Sequence, residues 1–357
     1  MAKLGLYVHV PFCRRKCGYC DFYSIVRDEE LVKKYIAAVG REAAEYADIA
    51  PGTVFAGGGT PSMLSAEEIT DLFNGIFSSL DKRLVKEWTV ECNPESLDKD
   101  KLLAMKSCGV NRLSIGIQSF NDDELRYLGR VHDSEQAIRA YNLARERGFN
   151  NISCDLIYGL PGQDKDLWKR NLSAAVKLGF EHISIYPLTV EPGTALFEKA
   201  LTVDDELQAG LYTWSMDFLL KSGYGQYEIS NWSRPGFECA HNINYWENGE
   251  YIGLGPAAAS HLDFLRSKNE PDINKYVQGA VQKVECERLE PDAKLGENIM
   301  LGLRCEKGVV ITPRIKELYG SAIDKLYGEG LVQISADLIS LTSKGKLLAN
   351  RVFGEFI

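Results

Sequence analysis

Short runs of β-branched and aromatic residues alternate with longer stretches whose apolar positions return every three or four residues, from the start of the chain to about residue 190. Runs of the first kind make strands, and stretches of the second kind make amphipathic helices. The pattern predicts strands at 4–10, 53–58, 87–92, 112–118, 152–158 and 182–188. Helices are predicted between them, in LVKKYIAAVGREAAEY, AEEITDLFNGIFSSL, SEQAIRAYNLARERGF and DLWKRNLSAAVKLGF. Such alternation is the signature of a parallel α/β sheet joined by crossover helices.

Periodicity alone leaves two architectures open, an incomplete (β/α)6 TIM-type barrel and an open doubly wound sheet. The strand ends favour the barrel. A cysteine loop follows the first strand, GGGTP (57–61) follows the second, and Glu91, Asn93 and Pro94 close the third. Gln118 ends the fourth, Asp155 with YGLPG (158–162) marks the fifth, and Tyr186 with Pro187 marks the sixth. Packing alone needs none of these, and a rim that gathers them is what a barrel with its site on the C-terminal face shows.

Past about residue 200 the alternation stops. A region rich in Tyr, Trp and Asn (212–261) leads into a tail that reads as helices, a β-hairpin and a final helix. The chain is therefore divided into a barrel over 1–200 and a smaller α+β domain over 201–357, winged-helix-like at its end. Mixed charges and the lack of an arginine-rich recognition face make that end a structural cap, so no nucleic-acid partner is expected.

Composition sets limits on this picture. A chain of 357 residues with 45% hydrophobic content can bury one large core and a smaller one. The net charge of -9 offers no general attraction to a polyanion or an anionic membrane. The N-terminal segment lacks the features of a signal peptide and no apolar run is long enough to span a bilayer, so a cytoplasmic location is expected. Nine cysteines, an odd number in an intracellular-type chain, favour free thiols and metal ligation over disulfides.

Cys13, Cys17 and Cys20 form a C-x3-C-x2-C loop directly after the first strand. Three soft thiolates this close can hold three irons of a cubane cluster and leave the fourth open. Arg14, Arg15 and Lys16 would lower the thiol pKa values and offset the cluster's charge. A zinc knuckle completed by His9 or Asp21 is the other reading of the same residues. Cys92, Cys108, Cys154, Cys286 and Cys305 stand singly among apolar neighbours and read as core.

The cysteine loop followed by GGGTP resembles the radical-SAM superfamily. LYVHVPFCRRKCGYCDFYS, FAGGGTPSML, VECNPESL, NRLSIGIQSF, LGRVH and DLIYGLPGQ narrow the likeness to the branch holding oxygen-independent coproporphyrinogen III oxidases and HemW-type haem chaperones. The resemblance implies a radical-SAM barrel with a four-iron, four-sulfur cluster on Cys13, Cys17 and Cys20. S-adenosylmethionine would bind the open iron, and an electron donor would serve the cluster. The resemblance also implies that Tyr7, Gly58, Gly59, Thr60, Glu91, Gln118, Arg130 and Asp155 line the S-adenosylmethionine pocket, with Tyr19 packed beside cluster or nucleoside. The residue types suit such a lining, because glycines admit a close ligand, the acids accept from an ammonium or hydroxyls, and Arg130 can pair with a carboxylate.

Phe22 stands where the oxidases of this branch carry a further cysteine, and the first ligand arrives after only twelve residues. Both features look like the chaperones. So does Cys239-Ala-His241-Asn242-Ile-Asn-Tyr245-Trp246, whose HNxxYW core resembles their haem-linked signature. His241 is the leading candidate for haem contact, with Tyr245 and Trp246 offering flat faces to the macrocycle. His261 reads equally as a second ligand or as a structural residue. The resemblance implies a chaperone that carries haem to an apo-haemoprotein such as a respiratory cytochrome, a recipient that can be membrane-associated. The alternative is a radical-SAM enzyme acting on a tetrapyrrole, of the coproporphyrinogen III oxidase type.

Overall fold

The computed structural model describes residues 4–279 and 283–357. The six predicted strands form as β1 (Gly5–Val10), β2 (Thr53–Gly58), β3 (Glu87–Cys92), β4 (Arg112–Gln118), β5 (Ile152–Tyr158) and β6 (His182–Pro187). Each pairs in parallel with the next in chain order. The crossovers carry α1 (Glu29–Ala44), α2 (Ala66–Phe77), α3 (Lys99–Cys108), α4 (Asp122–Leu128), α5 (Ser134–Glu146) and α6 (Lys165–Leu178). Their starts are written locally. Ser65 and Glu68 form a reciprocal capping box on α2, and Asp28, Asp133 and Asp164 each accept a backbone N–H of the first turn.

After residue 200 the sheet does not end; its pairing changes. Beyond α7 (Asp205–Lys221) come β7 (Gly225–Glu228), β8 (Asn231–Ser233) and the short helix α8 (Ala240–Trp246). Four more strands follow: β9 (Tyr251–Leu254), β10 (Ala259–Leu262), β11 (Leu265–Asn269) and β12 (Lys283–Arg288). One sheet of twelve strands results, in the order β12-β11-β10-β9-β1-β2-β3-β4-β5-β6-β8-β7. It has two ends, so the barrel is incomplete, as expected. Strands of three to five residues, with only the short helix α8 among them, carry little helical period, which is why the sequence pattern breaks there.

The last part of the chain holds α9 (Pro291–Gly302), α10 (Pro313–Gly328), a hairpin of β13 (Val332–Ser335) and β14 (Leu338–Leu341), with Val309–Val310 paired to β14, and then the short helices Ser343–Leu347 and Ala349–Phe353. Ile299, Leu303, Ile323, Leu326, Ile339 and Phe353 give this part a core of its own. Among the described residues no helix is long and apolar enough to cross a membrane.

Registers fix what shares a face. Tyr7 lies opposite Phe55, Phe55 opposite Thr89 and Thr89 opposite Arg112; in the other direction Gly5 lies opposite Tyr251, Tyr251 opposite His261 and His261 opposite Arg266. Side chains alternate with period two, so these rows belong to one inner face.

Candidate functional site

Cys13, Cys17, Cys20, Tyr19, Gly58, Gly59, Thr60, Glu91, Gln118, Arg130 and Asp155 line one cavity of about 470 Å³ at the C-terminal ends of the parallel strands. The cysteine loop is tied down at several points. Phe12–Cys13 pairs with Ile25–Val26, Gly18 N–H donates to Leu128 O at 3.2 Å, and Arg15 Nε donates to Gly129 O at 2.8 Å. At Gly58, where φ is +98°, a Cβ would overlap the His9 ring, and at Gly59 a Cβ would lie 2.7 Å from Val10 O. Only glycine lets these strand ends close on each other. Gln118 adopts φ 68° beside a register shift in β4, a bend that aims a strand-end side chain at the cavity.

Arg130 organises the wall behind the thiols. It donates to Cys17 Sγ at 3.5 Å, to Asn93 Oδ1 at 2.7 Å and to Gly116 O at 2.8 Å, while its buried Nε has no partner. Asn93 Nδ2 donates in turn to Thr60 Oγ1 at 3.0 Å, and that hydroxyl lies 3.6 Å from Cys13 Sγ. Glu91 accepts from Gly58 N–H at 3.1 Å instead of pairing with Arg130. Burial, reinforced by the nearby Asp155 carboxylate, pushes Glu91 up to about 7. Asp155 is likewise raised by burial, against the hydrogen bonds of Ser114 at 3.0 Å and Ser153 at 3.1 Å.

At Cys13 and Cys20 the basic loop residues do not offset burial, short of the sequence expectation. Burial raises Cys13 and pushes Cys20 up to about 11, outweighing Lys16, while Arg15 is engaged by Gly129. Metal ligation removes a thiol proton outright and overcomes such a penalty.

A smaller cavity of about 260 Å³ adjoins the first and shares Gly58, Glu91 and Asp155 with it; Tyr7, Phe55, Arg112, His182, His241 and Tyr245 are among its other walls. Arg112 is 2% exposed, and its Nε has no partner. Glu87, on the same face of the sheet one row away on β3, accepts from Ala240 N–H at 2.8 Å, from His241 N–H at 2.9 Å and from the Cys239 thiol at 3.5 Å. A strand carboxylate thus caps α8, whose own N-cap residue Cys239 offers no side-chain bond. His241 is 0% exposed, with Nδ1 2.8 Å from Thr53 Oγ1, Nε2 3.0 Å from Tyr245 Oη and its ring stacked on Phe55 at 5.3 Å. Burial, helped by the Arg112 charge, holds it down to about 3, so it is neutral. Both ring nitrogens of the leading haem-contact candidate are therefore engaged inside the protein.

The third space is a groove of about 630 Å³ over β1, β9, β10 and β11. Tyr7, Tyr245, Trp246, Tyr251, His261, Arg266, Lys268, Glu297 and Met300 line it, and Asp21, Phe22 and Tyr23 close the side nearest the cysteines. Tyr7, expected in the S-adenosylmethionine pocket, lines the groove and the smaller cavity rather than the cysteine cavity. Trp246 lies under Arg304, whose guanidinium carbon is 4.4 Å from the ring centre, and its buried indole Nε1 has no partner. His261 Nε2 accepts from Lys294 Nζ at 2.9 Å, and burial first, then that ammonium, hold it down to about 4. Phe22 is 62% exposed and lines all three spaces.

His9, His132 and His182 are each held between internal partners. Cys92, Cys108, Cys154 and Cys305 are buried, but Cys286 is exposed on the edge strand β12, which corrects its reading as core. The sequence reading missed Arg112, Ser114, Tyr251, Arg266 and Lys268. Arg112 carried a signal, a lone cation opening a fully buried strand.

Residues 7–183 match the Radical SAM superfamily and residues 289–348 match the HemN C-terminal domain. Heme chaperone HemW of Bacillus subtilis is 35% identical, over 98% of this chain and 98% of its own. The chain belongs to the HemW family. The HemW of Lactococcus lactis is 34% identical over 98% of this chain and 96% of its own, and that of Escherichia coli 32% over 100% and 99%. The fold itself is that of HemN, the coproporphyrinogen III oxidase from Escherichia coli described as a radical SAM enzyme. The two superpose with a TM-score of 0.86 over 99% of this chain and 90% of that one, at 23% identity. As a radical SAM protein of the HemW family, the chain implies a four-iron cluster and S-adenosylmethionine. Three thiols lining one cavity, strand ends that Gly58 and Gly59 bring together beside them, and the unpartnered Nε of Arg130 fit such groups.

Proposed function

We propose that this chain is a haem chaperone that holds haem beside a radical-SAM centre and passes it to an apo-haemoprotein, such as a respiratory cytochrome, with an electron donor serving the cluster. The supporting observation is the confluence of the three spaces on one sheet face, with Phe22 on the wall of each. Cys13, Cys17 and Cys20 ligate the cluster, and Arg130 balances its negative charge while fixing Asn93 and Thr60. Gly58 and Gly59 let the strand ends close to form the cavity wall that the amino-acid end of S-adenosylmethionine meets, and Glu91 and Asp155 stand ready to accept from ammonium or ribose hydroxyls. The bound cluster supplies one-electron reduction of S-adenosylmethionine.

Tyr245 and Trp246 present their rings to the macrocycle. His241 is the positioning residue behind them, locking the Tyr245 hydroxyl through its own bond to Thr53. The experiment is to reconstitute the cluster without oxygen, titrate with haem, and in parallel offer coproporphyrinogen III with S-adenosylmethionine and a reductant. Stoichiometric haem uptake without turnover supports the chaperone. Protoporphyrinogen formed at catalytic turnover makes the chain an oxidase instead.

A further inference from the structure

We infer that haem lies along the groove floor with its two propionate carboxylates held by Arg266 and Lys268 on β11 and its opposite edge against Phe22, an orientation that rests on the haem-chaperone reading. The floor is set by register. His261 lies opposite Arg266 and Ala259 opposite Lys268, so both cations rise from the face that carries Tyr251 and Tyr7. Four adjacent strands make a floor about 14 Å across. A volume of about 630 Å³ lies within the usual range for a site that encloses a ligand of this size class.

Charge is sorted along this floor. Asp21 and Phe22 line both the groove and the cysteine cavity, whereas Arg266 and Lys268 line the groove alone. Asp21 therefore stands on the side toward the cluster, and both of the groove's lining cations, with Glu297 beside Arg266, stand on the side away from it. Tyr251 and Trp246 line the same groove. Arg266 already bridges Glu297 at 2.7 Å and Glu287 at 2.9 Å, and Lys268 reaches Glu285 at 3.3 Å. A guanidinium has five donors and an ammonium three, so those partners leave donors for a ligand carboxylate. A flat macrocycle with two carboxylates on one edge matches this layout. A ligand whose anion points toward the cluster would meet Asp21.

The test uses the reconstituted full chain with two probes, haem and haem dimethyl ester, whose propionates carry no charge. The wild type is expected to bind haem roughly tenfold more tightly than the ester, the size of two partly exposed charge contacts. In Arg266→Glu/Lys268→Glu that preference disappears through weaker haem binding, with ester affinity and iron-sulfur absorbance unchanged. Arg266→Gln/Lys268→Gln gives the same loss of preference in milder form, should charge reversal disturb the fold. Ala259→Trp, which fills the floor, is expected to weaken both probes. Equal haem and ester binding by the wild type, or undiminished uptake by Ala259→Trp, overturns the orientation while leaving the chaperone reading intact. Uptake of neither probe by the wild type overturns the chaperone reading itself.

Discussion

The parallel and antiparallel parts of one sheet face make two different environments. Over β2 to β6 the inner face is narrow and polar: Arg112 and His182 are buried and Glu91 and Asp155 half-buried, and desolvation displaces the two carboxyls upward and His182 downward. Over β9 to β11 the same face is open, aromatic and edged by partly exposed cations. Connectivity explains the difference. Parallel strands need crossover helices, which cover the outside and gather loops at one rim, whereas antiparallel strands turn back at once. Asp263 and Phe264 make such a turn between β10 and β11, both with positive φ, and no helix intervenes. One compartment thus suits reactive cofactor chemistry and the other suits holding a large flat ligand.

The sharpest separation of the two comes from Cys17→Ala. It is expected to abolish the broad iron-sulfur absorbance and the bound iron and sulfide, while haem uptake in the groove persists; an unchanged spectrum rules out the ligand assignment. Next in size is Glu87→Ala, which uncaps α8 and removes a countercharge from Arg112. A loss of about 3 kcal/mol in urea unfolding is expected, along with weaker haem binding because the Tyr245–Trp246 turn loosens. Stability within roughly 0.5 kcal/mol of wild type, the size of an ordinary surface change, speaks against that role.

Gly58→Ala acts first on the other compartment, although the His9 ring it meets also lines the groove. The left-handed φ and the overlap with His9 are expected to cost about 1–3 kcal/mol and to weaken S-adenosylmethionine binding, read by equilibrium dialysis, more than they weaken haem binding. A smaller effect tests the buried imidazole at the seam. An unfolded histidine takes a proton near pH 6.5, whereas folded His241 resists until about 3. Between those values the unfolded chain binds more protons, so stability falls as pH falls. His241→Gln is expected to flatten that slope by up to about 1.4 kcal/mol per pH unit; an identical slope contradicts the neutral, engaged state. The smallest effect belongs to Cys286→Ser, with no change in stability, while in the native wild type Cys286 reacts with a thiol reagent and Cys92 and Cys154 do not.

Much of the first compartment was legible in the sequence. Its strands are apolar runs ending in polar or glycine-rich residues, and all six fall within a residue of the expected bounds. The second compartment was largely hidden. Arg266 and Lys268 alternate along a short strand in the way solvent-facing residues do, and only pairing to β10 brings them onto the groove floor. The sequence marks His241 as the leading candidate for haem contact through the likeness of its HNxxYW core to a haem-linked signature. Its burial depends on Thr53 and Phe55, far away in sequence, which no local pattern announces.

Simultaneous occupancy tests the central contrast most directly. Oxygen-free protein loaded with cluster and S-adenosylmethionine is titrated with haem, and iron, sulfide, nucleoside and haem are counted on the same sample. The account predicts one haem per chain with cluster and S-adenosylmethionine retained in full. Haem that enters only by expelling S-adenosylmethionine places both ligands in one compartment and contradicts it.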